Sequence, residues 1–389
     1  MKVLVISSGN IYERRGQFNA VVNRTKHLML NSSWQVDMLL LSTYDPWIVR
    51  RRLHTQKHSR PESFEVDGVK MNIDWLKFSY LDYILEKLHS GSLIKSIHYN
   101  KLANVCEGYD FVVAHSTDAG RIALLSKKRF AIPYSVTWHG SDIHTKPKKN
   151  KKMFRLTESI IQDADINFFV SQALLDESDR ITVSGHKFVL YNGYDKAFRQ
   201  YPSSERIRLK EQFGVKGKRV VTYAGNFLAV KNILAVPSIF KAILQKAGDV
   251  ECWMIGDGKY FKQVQEMVQG YPIRLWGNQD PETMPRFFNA TDVLVLPSIN
   301  EGLPLCVVEA LACGCNVVGS KVGGIPEIVG VDSCVDLKNP EFIENFAEKV
   351  LALLSARPPV QQPLAPSFDW ANSAHKEIEL MRTIVKVAH

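Results

Sequence analysis

Two carboxylates define the chemistry this sequence can offer. Glu301 and Glu309 lie in the stretch Val293 to Ser320, VLVLPSINEGLPLCVVEALACGCNVVGS. Glu309 is the one charged residue of an otherwise apolar or small segment, residues 304 to 313, PLCVVEALAC. A carboxylate carried into apolar surroundings needs partners, because burying it alone is very costly. Glu301 stands eight residues earlier, at the entrance of the segment. If the segment is a helix, the free N–H groups of Leu305 and Cys306 point out of that entrance, where the helix dipole favours an anion. Amide donors for a phosphate and two carboxylates for hydroxyls suit a ligand that carries both, such as a nucleotide sugar. A helix cap with one buried ion pair accounts for the same residues.

Two further side chains fit such a ligand. Lys231 follows the turn Gly225-Asn226-Phe227, and a lysine near a helix N-terminus after a glycine-bearing turn is placed to bind phosphate. His139 follows the expected strand Tyr134 to Trp138 and precedes Gly140. That is the place where open α/β sheets bind ligands, although a structural histidine fits it too.

The elements that must position these residues are legible as alternating apolar runs. Val293 to Leu296 reads as a strand buried on both faces. Pro304 suits the first helical position, Gly314 the left-handed cap at the helix end, and Asn316 to Gly319 a second strand. Strand, loop, helix, strand is the parallel βαβ unit. The same order recurs through strands at Lys2 to Ser8, Val36 to Ser42, Asp110 to His115, Tyr134 to Trp138, Ile166 to Ser171, Arg219 to Ala224, Glu251 to Ile255 and Ile273 to Trp276. The expected class is therefore α/β, with two doubly wound Rossmann-like domains. The first loop holds no G-x-G-x-x-G, so a dinucleotide fingerprint is absent. Lys231 is expected to open a helix, residues 44 to 67 to be irregular, and Tyr80 to Cys106 to be helical with an apolar stripe at Leu81, Ile84, Leu85 and Leu88. The expected domains are 1–195 and 205–369, joined by a linker at 196–204.

The chain of 389 residues has a net charge of +9, all of it within residues 1–200. A basic half suits nucleic acid, an anionic membrane or an anionic substrate. Its densest part, Lys146 to Lys152, has five lysines in seven residues and no aromatic interleaving, so nucleic acid is not an expected partner. Lys146, Lys148 and Lys149, with Arg50, Arg51 and Arg52, instead suit phosphates of a lipid-linked acceptor or an anionic membrane surface; a solvated loop accounts for them equally well. The six cysteines form no C-x-x-C and lie mostly in apolar runs, as buried thiols of a reducing compartment do. Val3 to Ile6 is too short for a signal sequence or a membrane span. The expectation is a cytoplasmic protein with peripheral contact on the inner face of the membrane.

The pattern S-x-x-E-G-L-P-L-x-x-x-E-A-L-A-x-G, running from Ser298 to Gly314 with Gly323-Gly324 behind it, resembles the E-x7-E signature of the family 4 retaining glycosyltransferases, which have the GT-B fold. The resemblance implies two Rossmann-like domains facing a central cleft, with helix 370–389 packed back on the first. It implies transfer of a sugar from a UDP- or GDP-sugar to an acceptor hydroxyl, a glycan or lipid-linked saccharide in bacterial surface polysaccharide synthesis, with retention of configuration. Glu301, His139 and Lys231 would then be catalytic and Glu309 would hold the ribose. Asn226, Gly225, Gly302, Leu303, Leu305, Cys306, Gly256, Trp276 and Gly16 would surround the donor. Asn226 stands where the family has arginine, and Gly16 alone where it has two glycines. No cofactor and no metal are implied, and no Asp-x-Asp pair is expected, with Lys231 and the helix-entrance amides stabilising the leaving diphosphate. A sugar-nucleotide epimerase or hydrolase of the same fold, or a non-catalytic nucleotide-sugar-binding protein, are the alternatives.

Overall fold

The computed structural model describes all residues except 13–15, 45–58, 78–81, 83–92, 357–360 and 389. The chain forms two compact units, Met1–Asn192 with Trp370–His389, and Gly193–Asp369. The stretch expected to be a linker, 196–204, lies inside the second unit.

The first unit is built on eight strands: β1 (Lys2–Ser8), β2 (Gln35–Tyr44), β3 (Ser63–Val66), β4 (Val69–Lys77), β5 (Phe111–His115), β6 (Tyr134–Trp138), β7 (Ile166–Phe169) and β8 (Lys187–Val189). Their order is β3-β4-β2-β1-β5-β6-β7-β8, and every pair is parallel except β3 with β4. β5 and β6 are buried along their whole length, which is why no charged residue other than the terminal His115 interrupts them. The order turns back between β1 and β5, so the carboxyl ends of these strands open where doubly wound sheets bind ligands. The last helix, Trp370–Ala388, is tied to this unit by a buried ion pair. Arg24 Nη1 lies 3.3 Å from Glu377 Oε2, and the Arg24 guanidinium also donates to the Leu190 carbonyl at 2.6 Å and to Asn192 Oδ1 at 3.2 Å.

The second unit has six parallel strands: β9 (Arg219–Ala224), β10 (Val250–Ile255), β11 (Ile273–Gly277), β12 (Val293–Leu296), β13 (Asn316–Ser320) and β14 (Cys334–Val335). The order β11-β10-β9-β12-β13-β14 turns back between β9 and β12, which places the loops after these two strands side by side. Both units are thus doubly wound α/β sheets of the Rossmann kind.

Several expectations need correction. Residues 44 to 67 are not irregular throughout: Ser63–Val66 is a strand that pairs antiparallel with β4. Its turn is Asp67-Gly68, both at positive φ (52° and 77°), the hairpin signal that an Asp-Gly dipeptide carries. Pro304 is the residue before the helix Leu305–Ala312, in an extended conformation, rather than its first turn. Lys231 does not open a helix; it ends a 3-10 turn, Ala229–Lys231, and Asn232 then turns left-handed before the helix Ala235–Lys246. An Asp-x-Asp does occur, Asp163-Ala164-Asp165, but Asp165 is occupied by structure. It accepts from Lys127 Nζ at 2.8 Å and from the Tyr134 N–H at 2.9 Å. The expected stripe at Leu81, Ile84, Leu85 and Leu88, and Arg50, Arg51 and Arg52, lie outside the described residues. Among the described residues no helix is long and apolar enough to cross a membrane.

Candidate functional site

At the carboxyl edge of the second sheet, the loop after β12 and the loop after β9 are joined. The Ile299 N–H donates to the Val230 carbonyl at 2.9 Å. This brings Lys231 and Glu301, seventy residues apart, into an ion pair with Nζ 2.6 Å from Oε1. Ser298 Oγ donates to the same carboxylate oxygen at 2.7 Å, and the Ser298 carbonyl in turn accepts from Ser320 Oγ. Burial depresses the Lys231 ammonium, but Glu301 beside it outweighs burial and leaves it raised. Lysine therefore stays charged here.

The backbone around Glu301 is held by Gly323-Gly324. The Gly324 N–H donates to the Gly302 carbonyl at 2.9 Å. Gly323 has φ +50°, and a β-carbon on it would lie 1.9 Å from the Glu301 carbonyl oxygen, so only glycine fits. On the other side, Gly225 and Gly256 meet backbone to backbone. A β-carbon on Gly256 would lie 2.0 Å from the Gly225 carbonyl oxygen. The Tyr223 hydroxyl donates to the Asn226 carbonyl at 3.0 Å and pins the turn from below. Among the described residues the Asn226 side chain has no hydrogen bond.

The helix Leu305–Ala312 begins beside Glu301. Its entrance amides, those of Leu305 and Cys306, have no acceptor among the described residues, as expected of first-turn N–H groups. Glu309 lies one turn further on, half-buried, its carboxyl without a hydrogen bond or ion pair among the described residues. Burial, with a smaller contribution from Asp195, pushes its carboxyl up to about 7. The Cys306 thiol is pushed up to about 12, chiefly by burial, so it stays protonated. The helix ends as expected, with Gly314 left-handed at φ +79°.

In the first unit, His139 follows β6 and meets His115 at the end of β5. His115 Nδ1 and His139 Nε2 are 3.1 Å apart. Burial lowers both: His139 to about 4, with Arg24 adding and Asp142 opposing, and His115 well below its ordinary value. The pair is neutral at physiological pH, one ring donating to the other. Beside it, buried Asp142 accepts from the Thr117 N–H and hydroxyl and pairs with Lys146 Nζ at 2.8 Å.

The structure brings Glu301, Lys231, Gly225, Gly302, Leu303, Leu305, Cys306 and Glu309 together on the carboxyl edge of one sheet. Trp276 packs into an aromatic cluster with Trp253, Phe287 and Phe213, at ring-centroid distances of 5.4, 5.1 and 5.5 Å. Gly16 opens the helix Gly16–Asn31, with no described residue within 4 Å of where its side chain would start. Two of the three expected surface lysines are already engaged, Lys146 by Asp142 and Lys148 by Glu177 at 2.9 Å. Sequence reasoning missed the roles of Ser298 and His115. The S-x-x-E spacing signals the first, since three residues of a turn carry the hydroxyl back to the carboxylate. Nothing local signals the second.

Residues 205–364 match the family model described as glycosyl transferases, group 1. Among curated relatives, N-acetyl-alpha-D-glucosaminyl L-malate synthase of Bacillus anthracis is 28% identical over 242 residues, covering 59% of this chain and 62% of that protein. A putative teichuronic acid biosynthesis glycosyltransferase of Bacillus subtilis is 25% identical over 244 residues, covering 62% of this chain and 60% of that protein. The match thus spans about three fifths of the length of these two relatives. Sucrose-phosphate synthase from Thermosynechococcus elongatus superposes with a TM-score of 0.74 at 18% identity, covering 99% of both chains. Anabaena HepE, solved with UDP-glucose, gives a TM-score of 0.66 at 16% identity, covering 100% of this chain and 99% of that one. These likenesses show the GT-B fold.

Proposed function

We propose that this chain, which belongs through residues 205–364 to the group 1 glycosyl transferases, moves a sugar from a nucleotide-sugar donor to an acceptor hydroxyl with retention of configuration. The observation that carries the reading is the second unit's arrangement of one ion pair, free amides and an unpartnered carboxyl. Lys231 and the Leu305 and Cys306 amides take the donor diphosphate, where preorganised donors stabilise the charge that builds on the leaving group. Glu301, aimed by Ser298, accepts from hydroxyls of the transferred sugar. Glu309, whose carboxyl has no partner among the described residues, accepts from the ribose hydroxyls. His139 is assigned to a sugar hydroxyl as a neutral partner.

Retention follows from attack on the face the leaving group departs from. The bond between the acceptor oxygen and the anomeric carbon forms as the bond from that carbon to the phosphate oxygen breaks, and the phosphate oxygen takes the acceptor proton. No protein base is needed, and no metal or cofactor is assigned. Relatives that bear names in cell-surface polymer synthesis support a glycan or lipid-linked saccharide as acceptor. Exposed lysines after Lys148 support peripheral contact with an anionic membrane from the cytoplasmic side; sedimentation with neutral vesicles as strongly as with anionic ones would rule that contact out.

The test is incubation with UDP-, GDP- and ADP-sugars, with and without EDTA, following nucleoside diphosphate release and sugar transfer to a polysaccharide or lipid-linked acceptor. Transfer from one nucleotide class, unchanged by EDTA and with the anomeric configuration kept, is the expected result. A second reading, nucleotide-sugar binding without transfer, is favoured by Asn226, an uncharged amide where the resembled family has arginine. Binding without turnover, and no gain from Asn226→Arg, would establish it.

A further inference from the structure

His115 is the last residue of β5 and is buried, and His139 follows the last residue of β6. The two strands pair in parallel with His115 opposite Thr137, so the rings meet at one sheet edge, Nδ1 of His115 lying 3.1 Å from Nε2 of His139. Two braces hold that meeting. On the β5 side, Ser116 takes φ +81° although it is not glycine, and its hydroxyl lies 3.0 Å from that of Ser8. Such a conformation costs of order 1–3 kcal/mol and persists where the surroundings impose it. On the β6 side, buried Asp142 accepts from the Thr117 N–H at 3.2 Å, from the Thr117 hydroxyl at 3.0 Å and from Lys146 Nζ at 2.8 Å. The loop that carries His139 is thereby tied to the first turn of the helix Ser116–Phe130, which begins directly after His115.

We propose that His115 is a positioning residue for His139: by donating from Nδ1 it occupies His139 Nε2, fixes the ring, and keeps the proton of His139 on Nδ1, as the N–H that the ring offers to a hydroxyl oxygen of the sugar. The inference rests on the function proposed above. A neutral imidazole has one N–H and one bare nitrogen, so one proton lies between the two rings and its side decides what His139 can do. In such a pair the more basic ring accepts. Burial lowers both rings, but Asp142 opposes the lowering of His139, whereas no carboxylate opposes that of His115. His139 is therefore the acceptor. It is half-buried, and its Nδ1 has no hydrogen bond among the described residues. A free imidazole carries its proton mainly on Nε2; the bond made by one nitrogen sets the state of the other. Without His115 the ring would thus present a bare nitrogen in place of the N–H, and a group that accepts but cannot donate would lose its partner.

The experiment is nitrogen-15 NMR of the whole protein labelled at histidine, near neutral pH, for the wild type, His115→Asn and His115→Leu, with His139→Gln for assignment, beside steady-state transfer kinetics on the first three. The wild type is expected to carry the His139 proton on Nδ1, with Nε2 bare and hydrogen-bonded. Asparagine places an amide donor near the position of the histidine Nδ1, so His115→Asn should keep that tautomer and most of the rate. Leucine keeps the bulk and loses the donor. His115→Leu should move the His139 proton to Nε2 and lower kcat/KM about tenfold, the worth of one hydrogen bond, with UDP affinity unchanged. The proposal is overturned if wild-type His139 carries its proton on Nε2, if His115→Leu leaves the tautomer as it was, or if it changes the tautomer and still transfers at the wild-type rate. Should His115→Leu fail to fold, the wild-type spectrum and His115→Asn decide: a proton on Nε2, or transfer lost about tenfold with the tautomer kept, overturns it. The expected tautomers in a protein that transfers from no donor would sink the transferase reading and leave the hold of His115 on His139 standing.

Discussion

Lys231 Nζ lies 2.6 Å from Glu301 Oε1, and Ser298 Oγ donates to that same oxygen at 2.7 Å. The protein thus supplies its phosphate-binding cation with an anion of its own, and a donor diphosphate must share or take over that cation. Lys231→Ala leaves a carboxylate of 9% exposure with one neutral donor. It is expected to cost about 1–3 kcal/mol of stability and to lower turnover at least ~10²-fold. Adding Glu301→Gln should restore most of the stability and none of the activity. Calorimetric melting and single-turnover kinetics on the three proteins check this; a Lys231→Ala enzyme with wild-type rate removes Lys231 from the reaction.

Glu309 gives a pH signature. Its carboxyl is raised from 4.5 to about 7, so between these values the folded protein holds a proton that the unfolded chain has lost. Its contribution therefore favours folding in acid and is lost as pH rises through about 7. Glu309→Gln should raise the melting temperature at pH 8 by a few degrees and leave it unchanged at pH 4. A hydroxyl donated by ribose favours the ionised form, so UDP binding near pH 7 should release protons in wild type and none from the variant. Titration calorimetry in buffers of different ionisation enthalpy measures this directly; equal proton release in both would take Glu309 out of the nucleotide site.

The first unit should behave in the opposite way. His139 is lowered from 6.5 to about 4, and His115 also lies well below its ordinary value. The unfolded chain then binds protons that the folded one refuses, so this contribution is fully present above about pH 6.5 and is lost as pH falls towards 4. Hydrogen exchange at pH 4.5 should show β5 and β6 losing protection before β9 and β12. Simultaneous loss in both units would contradict the assignment.

Gly323 should tolerate no side chain. Gly323→Ala forces a β-carbon to within 1.9 Å of the Glu301 carbonyl, and something must move. It is expected to cost over about 3 kcal/mol and to abolish nucleotide binding. Gly330, at φ +80° and ψ 153° with nothing within 4 Å among the described residues, is the control. That region is nearly confined to glycine, so Gly330→Ala should cost about 1–3 kcal/mol, the strain alone. Equal costs at the two positions would mean that the approach to Glu301 does not govern the site.

The strands were readable because parallel strands buried on both faces are rich in β-branched, aromatic and other apolar residues: Tyr134–Trp138, Arg219–Ala224 and Val293–Leu296 have the boundaries that the sequence suggests. Glu301 and Glu309 were readable because a turn and a helix start lie between them, all within nine residues. What was not readable depends on partners far along the chain. The Ile299–Val230 bond that brings Lys231 to Glu301 and the His115–His139 contact are consequences of strand order. A glycine turn followed by lysine also precedes helices, so the sequence does not show that Asn232 takes the left-handed conformation first. The Asp67-Gly68 turn, flanked by Val66 and Val69, is a local hairpin signal.

The meeting of Gly225 with Gly256, and of Gly258 with Phe227, is backbone against backbone. The turns under the candidate donor site are thus shaped by peptide groups, which every residue type shares. Exchange of side chains there has little to act on, since the glycines admit no replacement and the carbonyls are the same whatever flanks them. A change of preference at this site must accordingly come through side chains that are free to vary, such as Asn226, because a substitution in this layer of peptide groups disturbs the fold itself.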